Sequence, residues 1–530
     1  MSETVKSRVG CEAFRDELPP MTPGVIHRYV VGEDEELRAY GPGQAEIELG
    51  DPFATLLLLR GVFPTTAGDV LQELGQAAPA GEPLADRMFF FVGENSQIPF
   101  AEAAQRSLRF LATTGQTPEG PDVLISSFNP EETDVELMAW DRRSGGFNYY
   151  RTVGESSGWV FAGNSRHALE EVTEFNGPFA SHASGNFLMK ELRAPWMNWD
   201  SPDAPVSPDV FGPDDPRGAH EWFRKKEKLG AFTCETKVAR PAIVRWTRKR
   251  FEPLRSGSAA VERPVRIMQQ VLQTPAVNLV TSHTQSRAVS GDVDLPQTFF
   301  VDSETLTETA QLGLDAPPPL AVPGAVYQQA LETFDVRWTD GGQFTRRGDT
   351  HFAFCVPERA FDDVAVVREA IDVGLLTPRF AASLLMSDFA NPTFSARRAA
   401  LIAHVPPAAA VERGESGFSE EMADAIVAAA DSTPEGSPER EFAERWAAGD
   451  AWKETFNALL DDYYAALQQK LSDQDGFDAV FRLAEARRDH VRGSDRFPKM
   501  PIAEFPLLFA RTNVPSGDRQ MRPDGSVVEV

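Results

Sequence analysis

The sequence predicts an α+β protein of several segments: an α/β-like N-terminal unit, a central β-rich part and a mainly helical C-terminal region. Three observations carry that expectation. Strand-length apolar runs alternate with helical spacings through residues 1–134, short strands divided by glycine-rich turns follow at 135–200, and from residue 411 apolar residues recur every three or four positions. Between them lie a proline-rich linker or loop at 201–216 and a mixed α/β region at 217–410 that begins with a basic segment.

The elements follow in order. Residues 24–31 (GVIHRYVV) and 45–49 (AEIEL) read as strands, the second alternating apolar and acidic, and a helix is expected near 66–74. Residues 87–92 (RMFFFV) read as a buried strand, 100–112 as a helix with Phe100, Ala104, Leu108 and Leu111 on one face, and 122–128 as a further strand. That succession fits a parallel crossover. From Val135 the strands 135–140, 147–153 and 159–162 form a meander, and a helix capped by Asn164 or Ser165 is expected next. Beyond the basic segment the strand candidates are 276–281, 298–301, 335–338 and 349–356, with helices near 362–371, 379–385 and 396–404. Ser419 and Ser437 each precede acidic helix starts, and Trp452, Phe456, Leu459, Tyr463, Leu467 and Leu471 define one buried helix face. The polar tail after Asn513 reads as extended, packing on another domain or a second subunit.

Composition bounds the function. The chain has 530 residues, 42% hydrophobic and 25% charged, enough for substantial cores. No apolar run approaches the ~18 residues of a membrane span. The first twenty residues lack a secretory pattern, so a soluble, cytoplasmic protein is expected. Three scattered cysteines, Cys11, Cys234 and Cys355, supply neither a disulfide framework nor a zinc knuckle. The net charge of −27 disfavours nucleic acid and anionic lipid as partners of the whole molecule. The charge is uneven, however: residues 217–255 hold twelve Lys or Arg against four acids, a local +8 that leaves −35 for the remainder.

Several constellations could carry chemistry. Gly154-Glu155-Ser156-Ser157-Gly158 matches the nucleophile-elbow pattern, but Trp159-Val160-Phe161 continues as a strand, so a hairpin turn is the better reading. On an extended 349–355, Asp349 and His351 would share a face ~6.6 Å apart, a pair able to polarise a substrate; a metal would need further ligands such as His283 or His404. The loop 181–199 concentrates His182, Asn186, Lys190, Arg193, Trp196 and Trp199 outside any regular period, as binding loops do. In the basic segment Trp222, Phe223, Phe232, Trp246 and Phe251 could stack on bases, or Phe232, Val238, Ile243, Val244 and Trp246 could be the core of a strand pair, and Cys234 would be activated if Lys237 or Arg240 came close. No glycine-rich nucleotide fingerprint follows the strand at 87–92, and the sequence identifies neither a cofactor nor a metal set.

The resulting expectation is a small anionic or polar substrate held between these segments. His182 or His351, the latter with Asp349, would carry protons, Lys190 or Arg193 would clamp the anion, and Asn186, Trp196 and Trp199 would line the site. Whether the chain is an enzyme stays open. The alternative is a non-catalytic binding or assembly protein whose basic segment docks a polyanion or an acidic partner, and homo-oligomerisation through the C-terminal helices is a third reading.

Overall fold

The computed structural model describes residues 21–78, 84, 86–93, 108–152, 158–187, 199–202, 204–339, 345–493 and 509–530. The chain divides into two compact units, unit 1 with residues 1–249, 339–345 and 495–508, and unit 2 with 250–338, 346–494 and 509–530. The architecture is α+β: unit 1 is organised on one eight-stranded sheet, whereas unit 2 is chiefly helical with short two-stranded sheets.

The large sheet contains β1 (Ile26–Arg28), β2 (Arg38–Ala39), β3 (Arg87–Gly93), β4 (Leu108–Thr114), β5 (Val123–Ser127), β6 (Val135–Asp141), β7 (Gly146–Thr152) and β8 (Trp159–Asn164). Their order is β2-β1-β8-β7-β6-β5-β4-β3. Strands β3 to β8 form an antiparallel meander, and β1 joins β8 in parallel. The expected parallel crossover is therefore replaced by hairpin-type pairing. Residues 108–112, assigned by spacing to a helix, belong to β4, where Leu108, Phe110 and Ala112 alternate onto the core; residues 100–107 lie outside the described residues.

One face of the sheet is apolar, with Phe89, Phe91, Phe110, Ile125, Leu137, Tyr150, Trp159 and Phe161 in its core. Helices α1 (Gln44–Glu48), α2 (Pro52–Leu56) and α3 (Ala67–Ala77) contribute Ala45, Phe53, Val70, Leu71 and Leu74 to the same core. The strand expected at 45–49 is thus α1: Ala45 and Leu49 are buried four residues apart while Ile47 is 80% exposed, a helical rather than an alternating pattern. Asp51 caps α2, accepting from Ala54 N at 3.0 Å, and its other oxygen accepts from Asn148 Nδ2 at 2.8 Å and from the Tyr150 hydroxyl, which ties the helix to β7. Thr66 caps α3, accepting from Asp69 N.

After β8, Asn164 Oδ1 accepts from Arg166 N and His167 N, but only a 3₁₀ turn (His167–Leu169) follows where a longer helix was expected. The segment 153–157 that carries most of the elbow motif lies outside the described residues; it joins two antiparallel neighbours, β7 and β8, and Gly158 leads into a strand, as in a hairpin. The basic segment is helical, not a strand pair. It forms α4 (Glu221–Arg224), α5 (Gly230–Cys234), a π-helical turn (Glu235–Ala239) and α6 (Arg240–Arg255), burying Val238, Ile243 and Trp246 while Phe232 remains exposed.

In unit 2 the expected helices appear as Phe361–Asp372, Pro378–Leu385, Ala396–Ala400, Pro438–Trp446 and Trp452–Leu471, the last burying Trp452, Phe456, Tyr463, Leu467 and Leu471. Ser437 is an N-cap, accepting from Arg440 N. Ser419 is not: it lies within the helix Phe418–Ala430, and its hydroxyl accepts from Thr377 N. The candidate strand at 298–301 is a 3₁₀ turn followed by bends, and 349–355 is a loop rather than a strand. The C-terminal tail forms a hairpin, Arg519–Met521 with Val527–Glu529, held by reciprocal hydrogen bonds between Asn391 and Met521.

Candidate functional site

The second face of the unit 1 sheet differs in chemistry from the first. Register places Leu111 opposite Ser126, Ser126 opposite Glu136, and Glu136 opposite Arg151. Arg109 and Tyr149 share this face, two residues from Leu111 and Arg151 on their strands. A row containing a hydroxyl, a carboxylate and a guanidinium, with a second guanidinium and a phenol beside it, thus lies on the face opposite the apolar core. Directly opposed residues on antiparallel strands lie ~4.5–5.5 Å apart, so these groups belong to one neighbourhood.

The loop that follows β8 brings His182 onto this surface. A 3₁₀ turn (Gly177–Ala180) starts it, and the His182 ring packs 5.3 Å from that of Tyr149. Three hydrogen bonds fix the loop. Ser165 Oγ donates to Gly185 O at 2.7 Å, Trp246 Nε1 donates to Ser184 O at 2.9 Å, and His182 Nδ1 lies 2.8 Å from Asn186 O. Gly185 stands at φ +70°, and a Cβ there would fall 2.3 Å from Ser165 O, so the turn requires glycine.

The Asn186 carbonyl can only accept, which puts the His182 proton on Nδ1 and leaves the lone pair on Nε2. Burial lowers the His182 pKa; the bond to Asn186 and the charge of Glu136 oppose the fall, and Arg109 reinforces it. The imidazole is accordingly neutral near pH 7 and is equipped to accept a proton. The Asn186 side chain is buried, and its Oδ1 has no hydrogen-bond partner among the described residues. Such a buried acceptor calls for a water or a ligand group.

Of the other sequence candidates, Trp199 is fully buried over the same face, with its ring 6.2 Å from Phe90 of β3. At ~4.8 Å per strand, the four spacings from β3 to β7 amount to ~19 Å. Trp199 therefore packs at the β3 end and does not wall the His182 neighbourhood. Lys190, Arg193 and Trp196 lie outside the described residues. The signal for Glu136, Arg151, Arg109 and Tyr149, which sequence reasoning passed over, was polar side chains at alternate positions of otherwise apolar strands.

Asp349 and His351 belong to unit 2, and the shared strand face expected for them is not formed. Asp349 is enclosed by structural partners: Oδ1 accepts from Thr350 N at 2.9 Å, and Oδ2 from Phe354 N at 3.1 Å and Tyr327 OH at 3.2 Å. The guanidinium of Arg488, buried like Asp349, lies 3.6 Å from Oδ1. These contacts close the loop 349–355 on itself. His351 packs edge-on against Phe352, and its backbone carbonyl accepts from Ser286 N. Cys355 and Cys234 are fully buried, and burial pushes both thiols up, so Lys237 and Arg240 do not activate Cys234. His404 is engaged with Glu439 at 3.4 Å, and among the described residues no group of three or more His, Cys, Asp or Glu could hold a metal ion.

Much of the basic segment answers internal carboxylates. Arg217 pairs with Asp215, Lys225 with Glu221, Lys226 with Asp200, Arg240 with Glu235, Arg245 with Asp122, and Arg255 with Glu369. Arg245 also lies 4.2 Å over the Trp140 ring. No helix among the described residues is long and apolar enough to cross a membrane. Compared with known proteins, the chain matches no family model, no curated protein and no solved structure.

Proposed function

We propose that unit 1 binds a small anionic or polar molecule in the cytoplasm, on the sheet face beneath His182, and that His182 Nε2 accepts a proton from it. The observation that carries the reading is a neutral imidazole of defined tautomer, with Glu136 and Arg109 as its charged neighbours, beside a buried acceptor on Asn186 that lacks a partner among the described residues. Arg151 and Arg109 supply the positive charge that a carboxylate or phosphate requires.

The test is a thermal-shift and calorimetric screen of the full chain with inorganic phosphate, citrate, succinate and glycerol, repeated on His182→Gln and Arg151→Lys. Supporting evidence is a ligand that stabilises the parent chain and binds at least tenfold more weakly to both variants. No binding by any of the four probes, or equal binding to parent and variants, overturns it. The alternative of a polyanion docked on residues 217–255 has less support, because so many of those cations already face carboxylates. It would be recognised by heparin affinity that collapses as salt rises.

A further inference from the structure

Elsewhere in unit 1 there is an open groove of about 500 Å³, within the ~300–1,000 Å³ typical of small-molecule sites. Helix α3 forms one wall, presenting Asp69, Gln72 and Gln76 at three- and four-residue spacing, all exposed. His220 to Trp222 and Glu131 form the other wall. At one end, Arg87 Nη2 donates to Leu71 O at 2.8 Å. A Cβ at Gly75 would stand 2.4 Å from that same nitrogen, so the guanidinium occupies space that a glycine leaves open inside a helix. An interior glycine costs a helix ~1 kcal/mol relative to alanine. Its presence here accommodates Arg87.

Each charged side chain around the groove already has a polar partner within the protein. His220 Nδ1 accepts from Trp222 N at 3.2 Å, so its proton is on Nε2, which donates to Glu131 Oε1 at 2.9 Å. Glu221 pairs with Lys225 at 2.8 Å. Asp69 accepts from Thr65 Oγ1 and lies in the first turn of α3, where the helix dipole favours a carboxylate. The groove therefore has no strong demand for an ion. It offers two carboxamides that both donate and accept, the N–H groups of Arg87, and the lone pairs of Glu131 and Asp69, above the packed rings of Trp222 and Phe89. Hydroxyl groups, each a donor and an acceptor, match such a mixed surface.

We propose that this groove binds a neutral, hydroxyl-rich ligand, a mono- or disaccharide. The site is independent of the His182 face and stands or falls separately. Saturation-transfer NMR on the full chain, with glucose, galactose, N-acetylglucosamine, maltose and cellobiose as probes, tests it. At least one sugar should receive saturation. Its affinity should fall at least tenfold in the double variant Gln72→Ala, Gln76→Ala, whose changes lie on an exposed helix face and raise helix propensity. Arg87→Lys provides a second variant, expected to weaken binding likewise. No transfer to any of the five sugars overturns the proposal, as does equal binding by both variants, or binding of spermidine in place of the sugars.

Discussion

Asp349 offers the sharpest separation between a catalytic and a structural reading. As a proton-carrier partner it could be replaced at the cost of activity alone. In the fold it holds together a loop in which Phe354 stands at φ +54°, a left-handed conformation that costs a residue with a side chain ~1–2 kcal/mol. The Asp349 carboxylate accepts from the Phe354 amide and faces the fully buried Arg488. Alanine at this position leaves Arg488 with Glu485, 3.4 Å away, as its remaining charged partner among those described. Breaking a buried pair from one side costs ~3–5 kcal/mol, because the surviving charge stays desolvated. With an m value of about 3 kcal/mol/M, the urea midpoint of Asp349→Ala should fall by ~1 to 1.7 M. Asp349→Asn keeps an acceptor for Phe354 N and should lose about half as much. Urea unfolding followed by circular dichroism, together with hydrogen exchange of the 349–355 amides, reads both effects. A parental midpoint and parental protection in Asp349→Ala would refute the structural assignment and return Asp349 to the list of candidate catalysts.

Three further outcomes follow from buried groups and tight backbone approaches. Asp363 is fully buried, and burial raises its pKa well above the usual carboxylate range, against the pull of Arg359. The folded chain therefore retains a proton that the unfolded chain releases above pH ~4, so stability falls as pH rises from there to the raised value, by ~1.4 kcal/mol per unit within that window. Asp363→Asn should flatten this slope in urea titrations across pH; an unchanged slope would contradict it. Asp51→Ala removes an N-cap worth ~1 kcal/mol and strands the Asn148 amide and Tyr150 hydroxyl at ~1–2 kcal/mol each, for a loss of ~3–5 kcal/mol by chemical denaturation. Gly230 stands at φ +30°, with its virtual Cβ 1.6 Å from Asp200 O, so Gly230→Ala should destabilise unit 1 by at least ~3 kcal/mol; the control Gly257→Ala, with φ +87° but open space, should cost only ~1 kcal/mol in the same assay.

What the sequence disclosed follows from the range of the forces involved. Caps and turns act within a few residues, so the Ser437 cap and the β6–β7 turn were legible. Strand β4 was not. Phe100, Ala104, Leu108 and Leu111 satisfy helical spacing, while Leu108, Phe110 and Ala112 satisfy alternation equally well, and the choice was made by β3 and β5 on either side, pairings that no local window contains. The stretch 349–355 failed for the opposite reason. Its alternation was genuine, but Asp349 satisfies amides of its own loop and so supports a local turn in place of a ladder.

The polar face of the sheet lies between these extremes, and half of it could have been found by counting. The turn that sets Asp141 opposite Gly146 fixes every later pair of that hairpin, and five residues on it puts Glu136 opposite Arg151. Opposite charges facing each other on strands whose neighbours are apolar mark that surface as something other than plain core. The arrival of His182 could not be counted. It depends on Ser165 and Trp246 gripping the loop at Gly185 and Ser184, contacts spanning 20 and 62 residues. The acid and guanidinium were thus encoded by register, and the imidazole was delivered by packing. A functional reading of this face must therefore be tested at His182 and Arg151 together, because only the docked loop joins the two.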